Sequence, residues 1–175
     1  EKIPEVFTEF RKQLEKKIRV RPTVAITAKP ISNLIEEKTS IPTLEDLGFE
    51  SFKQPNKTAF PFKGGENQAN KRIEDYFWDT KKLAVYKKTR NGLIGKDYSS
   101  KLSAWLANGS TSARTIYWEV QQFEKKVVKN EDTYWLIFEL IWRDYFKYIS
   151  LKHGHKIFKL NGILQKEYHW NQNTK

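Results

Sequence analysis

Residues 134–152 (YWLIFELIWRDYFKYISLK) constrain the fold more than any other stretch of this 175-residue chain. Trp135, Ile137, Phe138, Leu140, Ile141, Trp142, Tyr145, Phe146, Tyr148 and Ile149 cover nearly the whole circumference of a helix, so this helix is expected at the centre of whatever the chain builds. Asp132 or Thr133 reads as its N-cap and Gly154 as its stop, giving a helix from Tyr134 to about Lys152. Glu139, Arg143 and Asp144 interrupt the apolar surface. Glu139 and Arg143 stand at i,i+4 and share a face with Trp142, three residues beyond Glu139. Polar groups inside an apolar helix need partners. The spacing leaves two readings open: a pair that satisfies itself beside a core tryptophan, or groups that serve a ligand.

The same periodicity makes the rest of the chain helical. Val6, Phe7, Phe10, Leu14 and Ile18 place a short amphipathic helix over 5–19. Pro22, Pro30, Pro42, Pro55 and Pro61, with Ser and Thr between them, make 21–61 a linker across a surface, holding one helical turn that ends at Gly48. Ala69, Ile73 and Phe77 form a stripe over Glu66 to Trp78, and Leu83 and Tyr86 carry it on toward Lys88. Asn91-Gly92 and Gly95 mark a loop. A short helix over Ser103 to Asn108 ends at Gly109. Ser112 caps a helix whose core stripe is Ile116, Val120, Phe123 and Val127. No convincing period-two strand appears. The fold class is mostly α: an irregular helical bundle fed by an extended linker.

Composition narrows the chemistry. Cysteine is absent, which excludes a disulfide scaffold, thiolate zinc sites, iron–sulfur clusters and a thiol nucleophile. Three histidines, His153, His155 and His169, leave little for a metal site, so none is expected. There is no run of about 18 uncharged apolar residues and no signal-peptide pattern; the expected setting is cytoplasmic, with an organellar address left open. Methionine is absent throughout, the first residue included, as in a processed product, a piece of a longer protein or a methionine-replaced chain. The net charge of +11 is uneven: residues 1–60 hold 11 basic and 9 acidic residues, leaving 21 and 12 for residues 61–175. A basic, aromatic-rich second part fits a polyanion, either nucleic acid or a phosphate-bearing cofactor. It fits a plain lysine-rich surface as well.

A second constellation is Tyr98-Ser99-Ser100-Lys101-Leu102-Ser103, where hydroxyls, backbone N–H groups and one lysine at a helix start suit a phosphate or diphosphate. Ordinary serine capping uses the same residues. A Ser/His/Asp triad would have to draw its histidine from the last 23 residues, two of them in one turn. Lys63-Gly64-Gly65-Glu66 has no strand before it and so is neither a Rossmann nor a P-loop fingerprint.

Three stretches together resemble the photolyase/cryptochrome family, and within it the DASH cryptochromes: FPFKGGENQA at 60–69, YKKTRNGLIGKDYSSKLSAWLANG at 86–109, and TYWLIFELIWRDYFKYISLKHG at 133–154 followed by IFKLNGI at 157–163. The opening segment with VFTEFRK resembles the family's passage out of its α/β antenna domain. The resemblance implies that 1–20 is a short helix at the end of an absent antenna domain and 21–61 the Pro-rich linker. Residues 62–175 are then the N-terminal part of a helical FAD-binding domain.

The family's activity is blue-light-driven splitting of a cyclobutane pyrimidine dimer flipped out of DNA, a carbon–carbon lyase reaction that uses reduced FAD. DASH members favour single-stranded DNA, and other members are photoreceptors. By resemblance Tyr86 contacts the flavin's phosphate region, Ser99, Ser100, Lys101, Leu102 and Ser103 form the diphosphate cradle, and Arg143 lies on the flavin side of the cavity. Glu139 and Trp142 face the DNA lesion. Ala104 departs from the family's usual proline, and Asn108, Ser110, Thr111 and Ala113 alter the run that follows, so a less rigid cradle is expected. The antenna folate belongs to the absent domain. A C-terminal half or a second subunit is expected to complete the flavin pocket, and the chain alone is expected to be inactive. The rivals are a flavin-free helical nucleic-acid-binding module and a structural remnant that keeps neither ligand.

Overall fold

A computed structural model describes residues 3–24, 39–50 and 54–171. Much of the linker expected over 21–61, including 25–38 and 51–53, lies outside the described residues. Six α-helices follow in order: α1 (Phe7–Lys17), α2 (Glu66–Ile73), α3 (Tyr86–Thr89), α4 (Ser103–Asn108), α5 (Ala113–Lys126) and α6 (Glu131–His153). Short 3₁₀ turns occupy Lys82–Val85 and Gly154–Phe158. No strand occurs among the described residues, in agreement with the expected mostly-α class. The turn at 44–48 closes on Gly48, with φ of 79°, but does not become a helix.

The helix expected over Glu66 to Trp78 is α-helical only to Ile73. Over Glu74–Asp79 it widens into a π-helical turn, in which the Thr80 N–H donates to the Asp75 carbonyl at 2.9 Å. Over this wider turn the adjacent Tyr76 and Phe77 both bury completely. They join Leu83, Trp105, Ile116, Val120 and Phe123 in the main core. Trp105 is 1% exposed. Its indole N–H donates to the Lys63 carbonyl at 3.2 Å, and Phe60 and Phe62 pack on its ring at 5.1 and 5.6 Å, fastening the chain ahead of α2 to the core. Ser112 caps α5 by accepting from the Thr115 N–H, as its position in the sequence predicts.

The cap of α6 differs from expectation. Asn130, not Asp132 or Thr133, is the N-cap: its side-chain oxygen accepts from the Thr133 N–H at 2.9 Å while the Thr133 hydroxyl takes the Asn130 N–H at 3.2 Å. The asparagine amide also donates to the Ala84 carbonyl at 2.9 Å, so the cap is a tertiary contact too. Asp132 is instead buried and accepts from the Lys88 N–H.

Burial all round α6 is the second expectation to be corrected. Leu136, Leu140, Ile141 and Tyr145 are buried, while Phe146, Tyr148 and Leu151 are exposed. Only one flank of the helix is covered. α1 covers part of it by setting Phe7 and Phe10 against Ile141 and Tyr145. Asn130→Ala should lower stability by about 1–2 kcal/mol, the usual cost of a lost cap. The check is the urea midpoint at unchanged m-value, and a loss below the range of surface substitutions would show the cap to be dispensable.

Candidate functional site

Tyr86 of α3, Ser100 and Leu102 ahead of α4, Ser103 at its first turn, and Glu139, Leu140 and Arg143 of α6 line one cleft of about 430 Å³. A hollow of about 630 Å³ lies along α1, and one of about 790 Å³ lies between the chain after α1, the start of α5 and α6, with Arg143 on its wall as well. The 790 Å³ hollow also gathers hydroxyls, guanidiniums and Asp144, so what distinguishes the smaller cleft is that residues from both sequence constellations meet in it. Six residues that the sequence singles out meet here: Tyr86, Ser100, Leu102, Ser103, Glu139 and Arg143.

The other three take different places. The Ser99 carbonyl accepts from Arg72 at 3.0 Å. Lys101 has a left-handed backbone, with φ of 61°, and its ammonium lies 3.5 Å from the centre of the Tyr98 ring. Trp142 belongs to the docking surface of α1: its ring lies flat on Phe7, with centroids 3.5 Å apart and planes 9° apart, and packs against Phe146 at 5.3 Å.

Glu139 and Arg143 do not pair with each other. Glu139 meets Arg90, at the end of α3, at 2.7 Å, and Arg143 approaches Asp144 at 3.6 Å. Arg90 is a functional candidate that sequence reasoning missed. The available signal was its i,i+4 spacing from Tyr86, which turns both side chains toward α6. Arg143 keeps about half of its side chain exposed (48%), free to meet an anion entering the cleft.

Burial first, and the Glu139 charge second, raise the Tyr86 hydroxyl far above the ordinary tyrosine value, with Arg90 and Ser100 offsetting only part of the rise. Tyr86 therefore enters the cleft as a hydrogen-bond donor at any neutral pH. Burial likewise raises the Asp144 carboxyl, against the opposing charges of Arg143 and Lys147. No group of three or more metal-ligating side chains occurs among the described residues. No described helix is long and apolar enough to cross a membrane.

No protein-family model matches the chain. Proteins named Cryptochrome DASH are similar to it along nearly its whole length. The protein from Xenopus laevis is 46% identical over 175 residues, 99% of this chain and 33% of that protein. The one from Gloeobacter violaceus is 47% identical over 172 residues, 98% of this chain and 34% of that protein. The solved structure of a Synechocystis cryptochrome matches with a TM-score of 0.86 and 41% identity, covering 98% of this chain and 36% of that one. The chain thus spans about a third of the length of the curated relatives it matches.

Asp97, which pairs with Lys82 and Arg72, gives a pH prediction. Burial pushes the Asp97 carboxyl up, but hydrogen bonds from Lys82 and Arg72, with their charges, outweigh it and hold Asp97 below the ordinary carboxylate value. A carboxyl lowered in the folded state stabilises the fold above its unfolded pKa, and that contribution fades as pH falls through the folded value. Asp97→Asn should therefore narrow the gap between denaturation midpoints measured at pH 7 and at pH 3. An unchanged gap would mean that Asp97 is not part of the acid response.

Proposed function

We infer that this chain, which belongs to the DASH cryptochrome/photolyase family, supplies the diphosphate-binding part of a helical FAD-binding domain serving light-dependent DNA repair or photoreception. The observation that carries the reading is the convergence of Tyr86, Ser100, Ser103 and Arg143 on one cleft. Three neutral donors and one guanidinium suit an anion with many acceptor oxygens. The donor set fits the phosphate end of a flavin dinucleotide. When bound, the flavin supplies blue-light absorption and one-electron transfer. The chain's own part is to hold the phosphates and to present Glu139, oriented by its ion pair with Arg90, at the mouth of the cleft. Ser99 and Lys101 complete the proposed cradle through backbone groups, with the Lys101 ammonium supplying long-range charge.

Single-stranded or damaged DNA is the proposed partner, drawn by the excess of 21 basic over 12 acidic residues in 61–175. Phe146, Leu151, Phe158 and Leu160 stand exposed and call for cover by further chain, in line with a pocket that needs more than these residues to be complete. The proposed setting is the cytoplasm; the names of the Oryza sativa and Arabidopsis thaliana relatives place those proteins in chloroplast and mitochondrion.

Titration with FAD tests the cofactor. Tyr86 is the one aromatic ring lining the cleft, so these 175 residues alone should bind FAD more weakly than about 1 μM. Sub-micromolar binding by the monomer would overturn that expectation. A colourless full-length gene product that binds DNA in a salt-sensitive way would favour the flavin-free nucleic-acid module instead.

Trp142 is proposed to stack on a flipped base, which requires the ring face that Phe7 covers to become free. In the full-length gene product, Trp142→Ala should weaken binding of dimer-containing single strands roughly tenfold and leave undamaged strands nearly unchanged. Equal losses for both strands in a folded variant would assign Trp142 to packing alone.

A further inference from the structure

Arg72 is 2% exposed, and nothing in the sequence reading singled it out. A guanidinium has five N–H donors, and here each has a partner. The Nε group donates to the Ser100 carbonyl at 3.1 Å. Nη1 donates to Asp75 at 2.6 Å and to Asp97 at 3.1 Å. Nη2 donates to the carbonyls of Lys96 at 3.1 Å and Ser99 at 3.0 Å. The plane is also held between rings, 4.8 Å from the centres of both Phe62 and Tyr76.

What it grips matters more than how well it is held. Among the described residues, no backbone–backbone hydrogen bond outside the helices involves 93–101, so this segment does not hold its own shape. At its end Lys101 adopts φ of 61°, a conformation that is strained for a non-glycine residue and persists only where the surroundings enforce it. Arg72 takes three carbonyls immediately before that residue, and Lys82 steadies the arrangement by pairing with Asp97 at 2.7 Å. With the carbonyls of 96, 99 and 100 drawn to Arg72, Ser100, Leu102 and Ser103 stand on the wall of the cleft.

We propose that Arg72 is the positioning residue of the phosphate-binding segment: from behind, without touching the ligand, it sets the backbone of 96–103 in the shape that receives a diphosphate. The proposal rests on the flavin-phosphate reading above. Lysine can offer at most three donors in place of five and has no planar fork. The segment should then lose its shape while the charge stays.

The test compares FAD with riboflavin, which has the same ring and no phosphate, on the flavin-depleted full-length gene product containing this chain. Arg72→Lys should weaken FAD roughly tenfold and leave riboflavin unchanged within about twofold. Asp97→Asn, at a residue a third exposed and therefore tolerant of substitution, should give the same pattern at smaller size and carries the test alone if Arg72→Lys does not fold. Parallel loss of both ligands would reduce Arg72 to a core residue, and loss of neither would overturn the proposal outright. If the unsubstituted protein binds FAD no more tightly than riboflavin, the phosphate reading itself fails, a result visible before any substitution is made.

Discussion

Helix α6 starts where three pieces of chain meet, and the hydrogen bonds at that start fix the register on which the cleft depends. The Asn130 side chain closes the first turn through Thr133 and ties it to the Ala84 carbonyl, while Asp132 accepts from the Lys88 N–H. The Glu131 carboxylate adds an ion pair with Lys87. A helix is a stiff rod, so anchoring its first turn against α3 also fixes what stands two turns later. Glu139 is thereby placed within 2.7 Å of Arg90, and Arg143 one turn further on, at the mouth of the same cleft. A rotation of α6 by one residue would carry both away from Tyr86, and no loop rearrangement could restore them.

The core behind the cleft solves a related problem: how to bury charge next to rings. Arg72 lies between Phe62 and Tyr76, where its flat, weakly hydrated cation is well suited, and its two carboxylate partners keep contact with water. The π-helical turn that follows has a consequence for Tyr76. Burial raises its hydroxyl to about 12, with Thr89 and Arg72 offsetting part of the rise, so it stays neutral beside the cation. The wider turn that seats Tyr76 and Phe77 in the core thus also closes one side of the guanidinium. Here local backbone irregularity and buried charge form one arrangement.

Much of the helical frame was legible in the sequence because it rests on local rules. Gly109 at φ of 79°, Ser112 at the α5 cap and the buried Ile116, Val120 and Phe123 follow from spacing and capping chemistry alone, while Val127, expected in the same stripe, stands past the end of α5 and is exposed. The cleft residues were legible through resemblance, and the geometry brings six of them together. What spacing could not give were the partners. The i,i+4 relation of Glu139 and Arg143 is real, yet each side chain meets another group, because a residue brought in from α3 offers Glu139 a shorter contact. Arg72 was hidden for the same reason: its carbonyl partners lie 24 to 28 residues away. Asn130 was passed over for a neighbour because Asp132 and Thr133 are equally good cap residues by type. Only the contact to Ala84 distinguishes the one that is used.

The two ends of α6 differ in a way that bears on how the site works. Its start is bonded to the Ala84 carbonyl and the Lys88 N–H, and about its middle Glu139 and Arg143 line the cleft. Its second half carries Phe146, Tyr148 and Leu151 exposed, with α1 covering Trp142 through Phe7. Covering apolar rings is favourable wherever a surface of the right shape is near, and a flat ring on a flat ring is among the easiest contacts to make. Phe7 gives Trp142 no hydrogen bond that a different planar group would have to replace, but freeing that ring face means breaking the hydrogen bonds that tie residues 3–11 to α6. The segment on the Ser100 side of the cleft is fixed by directional bonds to backbone, and α1 with the residues before it is tied to α6 by directional bonds of its own: Tyr145 donates to the Glu5 carbonyl, and Lys152 donates to the Ile3 carbonyl and pairs with Glu5.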